Sequence, residues 1–187
     1  MSNGFPYFQY NGIAGINREG IIGVRSKQKL VPIEETIPYP SKISGVRNLI
    51  PSLGGFYFCA KPNEKAVFDI NDSIKICPLV CYESGFGEFV AMQSEKATLL
   101  TISLNEGWYK HVTGATMFQN MARLRAIETR KYILKSSNDG ISSIISNKGD
   151  IVIEMKDFKA DATSGKVSLC EKTTFYAEHG DWIGILA

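Results

Sequence analysis

No stretch of the 187 residues approaches the ~18 consecutive apolar residues of a membrane span, and Met1-Ser2-Asn3-Gly4-Phe5-Pro6 has neither the charged start nor the apolar core of a signal peptide. Taken alone, the chain is expected to be neither membrane-spanning nor exported. Excess charge of one sign is also lacking. The 21 Lys and Arg against 19 Asp and Glu leave a formal net charge of +2, with no basic block and no acidic tail, so no nucleic-acid partner is expected. Histidine is rarer still: His111 and His179 are the two, far apart in sequence. The four cysteines, Cys59, Cys77, Cys81 and Cys170, include no Cys-x-x-Cys pair. That argues against zinc, and neither a metal nor a cofactor is expected. There is no internal repeat and no low-complexity stretch.

What is present is ordinary for a globular chain: 44% hydrophobic and 21% charged residues, in a length that can bury one core. Ile13 to Val24 holds two apolar runs flanking Asn17-Arg18-Glu19-Gly20, the pattern of a hairpin. Pro38, Pro40 and Pro51 with Gly45, Gly54 and Gly55 mark a long loop from Thr36 to Gly55. Strands are expected at Phe56 to Phe58 and Ala66 to Ile70, joined by a turn over Lys61 to Lys65, and another starts at Ile74. Phe86, Phe89 and Val90 suit a short helix, and Thr98 to Leu104 a buried strand ending at Asn105.

A longer helix is expected from about Thr116 to Arg130, with Met117, Met121, Leu124 and Ile127 or Glu128 as its inner stripe. Arg123, Arg125 and Arg130 read as its solvated face, with Glu128 as a partner for one of them. Strands follow at Tyr132 to Lys135, Ile141 to Ile145 and Ile151 to Glu154, the last two joined by an Asn147-Lys148-Gly149-Asp150 turn. A polar loop, Lys159 to Gly165, and a strand at Val167 to Cys170 close the pattern. Strand, helix, strand in repetition indicates an α/β layered fold.

The informative stretch is Ile74 to Glu88. Ile76-Cys77-Pro78-Leu79-Val80 is an apolar strand that delivers Cys81 into a polar, glycine-containing turn, Tyr82-Glu83-Ser84-Gly85. A buried strand holds its last residue rigidly, and a tight turn after it exposes one side chain and frees backbone N–H groups for an oxyanion. Cys81 is therefore the candidate nucleophile. The competing reading is a small core filler, since cysteine is among the most buried residue types. Cys77 and Cys81 lie about 13 Å apart along an extended strand, too far for a disulfide. Cys59, Cys77 and Cys170 read as structural. Lys27, between Arg25 and Lys29, reads on its own as a solvated basic strand end.

Five blocks, in order, and a closing tripeptide shift these readings. Lys27-Gln28-Lys29-Leu30-Val31-Pro32-Ile33-Glu34-Glu35 is similar to a Lys-x-x-Leu-Val-Pro-x-x-Glu segment, and Ile76 to Val90 to a nucleophile segment. Leu104-Asn105-Glu106-Gly107-Trp108 is similar to an Asn-Asp-Gly-Trp loop, and Ala122 to Arg130 to the helix after it. Ser137-Asn138-Asp139-Gly140-Ile141-Ser142 is similar to Asn-Thr-Gly-Ile-Ser, and Gly180-Asp181-Trp182 to a closing Gly-Asp-Trp. Together they resemble the apolipoprotein N-acyltransferases of the carbon-nitrogen hydrolase (nitrilase) superfamily.

That resemblance implies a nitrilase-like four-layer αββα sandwich, with residues 1–187 as one partial domain, incomplete at its N-terminus. It implies an enzyme that moves a fatty acyl chain from a phospholipid, through a thioester on Cys81, to the N-terminal amine of a lipoprotein diacylglyceryl-cysteine. Lys27 would stabilise the tetrahedral oxyanion and the thiolate, and Glu35 would orient Lys27. Tyr82, Glu83 and Trp108 would border the substrate. The family is placed at the bacterial inner membrane with its catalytic domain facing the periplasm. Two features depart from the pattern. Glu34 stands where the family has an uncharged residue, and no Pro-Glu segment carries the general-base glutamate. The chain alone is therefore expected to be inactive or nearly so, as a fragment or as one half of an enzyme completed by a second polypeptide. A soluble amidase of the same superfamily is the alternative activity.

Overall fold

The computed structural model describes residues 10–32, 34–36, 67–107, 112–155, 160–182 and 184. Its framework is a six-stranded sheet in the order β3-β4-β5-β6-β7-β8. The strands are β3 (Phe68–Asp69), β4 (Lys75–Val80), β5 (Leu99–Asn105), β6 (Ile133–Asn138), β7 (Ser142–Ile145) and β8 (Ile151–Met155). β4, β5 and β6 run parallel, while β3, β7 and β8 join antiparallel at the two edges. The parallel strands are the apolar runs seen in the sequence. They alternate Cys77, Leu79, Leu100, Ile102, Leu104 and Ile133 toward one face, all buried.

Helices α1 (Gly87–Gln93) and α2 (Val112–Thr129) pack on that face, and α3 (Phe175–His179) packs against those two helices. Their Phe89, Val90, Phe118, Ala122 and Ala126 complete the core. The opposite face carries a separate antiparallel hairpin, β1 (Gly12–Asn17) and β2 (Gly20–Ser26), closed as expected at Asn17 to Gly20. The Asn17 side chain accepts from the N–H groups of Glu19 and Gly20, and Gly20 takes a φ of +134. Gly15 and Gly23 let the hairpin lie on the Phe68 ring, where a Cβ would sit 2.8 and 2.7 Å from ring carbons. Helix, sheet and hairpin layers bear out the α/β nitrilase-like fold.

Three expectations are corrected. Of the expected stripe, Met121 packs half-buried against the core, but Met117, Leu124 and Ile127 are 46%, 51% and 41% exposed, and α2 buries Ala115, Phe118, Ala122, Ala126 and Thr129 instead. Both stripes keep helical spacing. The alanines let the helix axis approach the sheet, so close packing outweighs side-chain hydrophobicity. Arg125 also belongs to the buried face. Second, Val167 to Cys170 forms no strand; the segment runs extended and is tied to the sheet by a Cys170 N–H bond to Thr98 O (3.2 Å). Third, the strand expected at Ala66 to Ile70 is reduced to Phe68–Asp69. The expected Thr36 to Gly55 loop beyond Thr36, the Phe56 to Phe58 strand and the Lys61 to Lys65 turn lie outside the described residues. No helix among the described residues is long and apolar enough to cross a membrane.

The inverted stripe gives a direct test. Ala122→Leu should cost about 1–3 kcal/mol by overpacking, and Leu124→Gln should stay within about 0.5 kcal/mol of the parent, both read by denaturant unfolding. The opposite ranking would restore the sequence-based stripe.

Candidate active site

β4 ends at Val80, and Cys81 opens a five-residue 3-10 turn, Cys81–Gly85. Cys81 has a φ of +51, a left-handed conformation that costs a residue other than glycine about 1–3 kcal/mol and is kept only where the surroundings enforce it. The enforcing group is Glu83. Its carboxylate is fully buried and accepts from Arg25 Nη1 (3.0 Å) and Nη2 (3.2 Å), from Gln28 N (2.7 Å) and from Val80 N (2.8 Å). Arg25, also fully buried, donates besides to the carbonyl of Pro78. Ser84 Oγ donates to Cys81 O (2.9 Å). On the far side of the turn, Arg125 Nη1 donates to the carbonyls of Ser84 and Gly85 (both 3.3 Å), while its Nη2 pairs with Glu128 (2.6 Å).

These contacts correct two sequence readings. Glu83, expected beside the substrate, instead has its carboxylate enclosed and occupied by four donors, and through them it shapes the turn. Lys27 is no solvated strand end: it is fully buried, and its Nζ sits 2.9 and 2.7 Å from the two carboxylate oxygens of Glu35. Glu35 also accepts from Val31 N (2.8 Å) and Asn11 Nδ2 (3.1 Å). Glu34 beside it is exposed. The pairing with Lys27 therefore falls on Glu35, the residue expected to orient it.

The structure brings Lys27 and Glu35 to Cys81 closely enough for both charges to act on its thiol. Burial pushes that thiol above the ordinary cysteine range; the Lys27 ammonium and the main-chain N–H groups of Asn105 and Tyr82 pull it down, and Glu35 pushes it up. Burial wins, so Cys81 rests as a neutral thiol. Cys77, four residues earlier and sealed in the core, is pushed up to about 12, mainly by burial, which fits its structural role. Tyr82 is half-buried beside Cys81, its ring edge-on to Phe86 at 5.0 Å. Trp108 lies outside the described residues. Sequence reasoning missed the Arg25–Glu83 and Lys135–Glu106 pairs, both fully buried. Arg25 and Lys135 each sit in an apolar alternation where a charge is out of place, which was the available signal. Among the described residues no group of three or more His, Cys, Asp or Glu could hold a metal.

The model of the family described as carbon-nitrogen hydrolase matches residues 2–171. The chain belongs to the carbon-nitrogen hydrolase family. It is 29% identical over 94% of its length to the apolipoprotein N-acyltransferase of Pseudomonas syringae pv. tomato. It is 34% identical over 83% to that of Wigglesworthia glossinidia brevipalpis, and 31% identical over 98% to apolipoprotein N-acyltransferase 2 of Treponema denticola. It spans 34%, 31% and 37% of those relatives' lengths, about a third. Solved structures share the fold. Saccharomyces cerevisiae Nit3, of the nitrilase superfamily, superposes with a TM-score of 0.57 at 20% identity, over 79% of this chain and 49% of Nit3. A carbon-nitrogen hydrolase of Helicobacter pylori gives 0.56 at 14% identity, over 80% and 54%.

Two measurements check this geometry. Alkylation of Cys81 by iodoacetamide should rise about tenfold from pH 7 to pH 8, because a thiol with a raised pKa gains thiolate in proportion to hydroxide there. Cys77 should stay unlabelled; a plateau for Cys81 below pH 8 would contradict the burial. Arg25→Met should destabilise the fold by about 3–5 kcal/mol, since it strands the Glu83 carboxylate inside.

Proposed function

We propose that this domain is the acyl-carrying part of an N-acyltransferase acting on phospholipid and on the amino terminus of a lipoprotein. The observation that supports the reading most is the Cys81 thiol on a strained turn beside the buried Lys27–Glu35 pair, with main-chain N–H groups directed at the sulfur. The N-acyltransferases among its relatives supply the reaction class.

In the first step the Cys81 sulfur, having lost its proton, attacks the ester carbonyl of the phospholipid. The tetrahedral oxyanion is held by Lys27 Nζ and the Tyr82 N–H. Its collapse breaks the C–O bond, and a lysophospholipid leaves with a proton on its oxygen. In the second step the free α-amine of the diacylglyceryl-cysteine attacks the thioester, forms the amide and returns a proton to the Cys81 sulfur. Glu35, bonded to Lys27 Nζ through both carboxylate oxygens, keeps it aimed. Glu35 is also the carboxylate whose charge acts on Cys81, and its oxygens are taken by Lys27, Val31 and Asn11. We therefore assign the proton acceptor to a carboxylate outside the described residues. Without it, turnover should fall about 10²–10⁴-fold. Membrane placement belongs to the same proposal.

Intact mass spectrometry after incubation with phosphatidylethanolamine vesicles tests the reading. It predicts slow accumulation of one acyl chain on Cys81, sensitive to hydroxylamine, absent in Cys81→Ala and reduced about 10²-fold or more in Lys27→Met. A p-nitrophenyl ester serves as the activated control donor. Labelling by the ester but never by phospholipid, together with ammonia release from simple amides, would replace the acyltransferase reading with the amidase one. No adduct from either donor would remove Cys81 as the nucleophile.

A further inference from the structure

The parallel ladder between β5 and β6 sends the N–H groups of Leu100 and Glu106 to the carbonyls of Tyr132 and Asn138, both at 3.0 Å. Because a parallel strand alternates its N–H groups between its two neighbours, Asn105 turns its N–H toward β4. In the β4 to β5 register Val80 lies opposite Ser103, so the ladder carbonyl next due to Asn105 would be that of Cys81. Cys81 has already turned away with its φ of +51, and its carbonyl accepts from Ser84 Oγ. With that carbonyl turned away, the Asn105 N–H faces the start of the Cys81 turn, and it is one of the two main-chain groups that act on the Cys81 thiol.

Directly behind it sits the Glu106–Lys135 pair, both side chains fully buried. Lys135 Nζ lies 3.1 Å from each carboxylate oxygen of Glu106 and also donates to the Ile141 carbonyl, while Ile141 N donates to Glu106 Oε2 (3.0 Å). Gly140 makes room for this closure, since a Cβ there would lie 2.0 Å from Glu106 Oε2. A buried ion pair is a costly way to gain stability but a geometrically strict one. Here it clamps the end of β5 to β6 and to the 139–141 turn, at the residue following Asn105.

We propose that the Asn105 main-chain N–H is a donor to the Cys81 thiolate, and that Glu106 and Lys135 are the positioning pair that holds it there. It acts together with Lys27 and the Tyr82 N–H, against Glu35, the groups that bear on the Cys81 sulfur; Glu154 is the further charge acting on Lys135. The inference names a contact at the site used in the proposed reaction, but it concerns the thiol and needs no acyl donor.

The test is the pH profile of Cys81 alkylation by iodoacetamide, with Cys77 protection as the internal record of folding. Lys135→Met should move the profile to higher pH and slow alkylation at pH 7 about tenfold, the worth of one charge-assisted hydrogen bond. Its high-pH limit should be unchanged and Cys77 still protected, and Lys135→Arg should return most of the rate. An unshifted profile with Cys77 protected would overturn the proposal. If Lys135→Met exposes Cys77, replacing Asn105 by its α-hydroxy acid, which turns that N–H into an ester oxygen, decides the matter: a shifted profile supports the proposal and an unshifted one ends it. A shifted profile with no acyl adduct from phospholipid would leave this contact standing and remove only the acyl-transfer reading.

Discussion

The carboxylate of Glu83 is the constraint on which the site depends. Sealed from water, it needs every hydrogen bond it can collect, and its four donors come from the end of β2, from the residue after Lys27 and from the last residue of β4. Satisfying one buried charge therefore docks the hairpin onto the sheet and bends the chain at Cys81. It also fixes Lys27 relative to the sulfur, because Lys27 adjoins Gln28, whose N–H is one of the four. The positive φ of Cys81 persists because relaxing it would pull Glu83 away from Arg25.

Charge is buried around Cys81 from several directions. Arg25–Glu83 holds the turn from the hairpin side, Arg125–Glu128 from α2, and Lys135–Glu106 holds the end of β5. Such pairs are poor sources of net stability and good sources of geometry. Two of the arginines keep an unpartnered buried Nε, which shows that their donors are spent on placing main-chain carbonyls and carboxylates rather than on full satisfaction. The same enclosure raises the Cys81 pKa, so positioning and thiolate formation oppose each other here. In the proposed reaction, reactivity then depends on a proton acceptor and on the Lys27 charge.

Much of this was legible in the sequence because it is carried by local pattern. The hairpin at Asn17 to Gly20, the apolar runs of β4 and β5 and the turn at Cys81 follow from alternation and turn chemistry. What stayed hidden is decided by tertiary contact. Hydrophobicity favoured Met117, Leu124 and Ile127 over the alanines of α2, and only the distance between helix and sheet reverses that. Lys27 in a basic triplet looked solvated because its partner, Glu35, lies eight residues away across a bend. Glu83 looked like a ligand contact because a charged residue after a nucleophile invites that reading, while its true partner, Arg25, is 58 residues upstream.

The central claim is that Cys81 carries an acyl group with its carbonyl oxygen held by Lys27 and Tyr82. A crystal structure of the chain acylated by an activated ester tests it most directly. The account predicts a thioester at Cys81 whose carbonyl oxygen lies within hydrogen-bond distance of Lys27 Nζ and the Tyr82 N–H, with the Glu83 contacts unchanged. An acyl group on Cys170, or a Cys81 thioester whose oxygen points away from both donors, would contradict it.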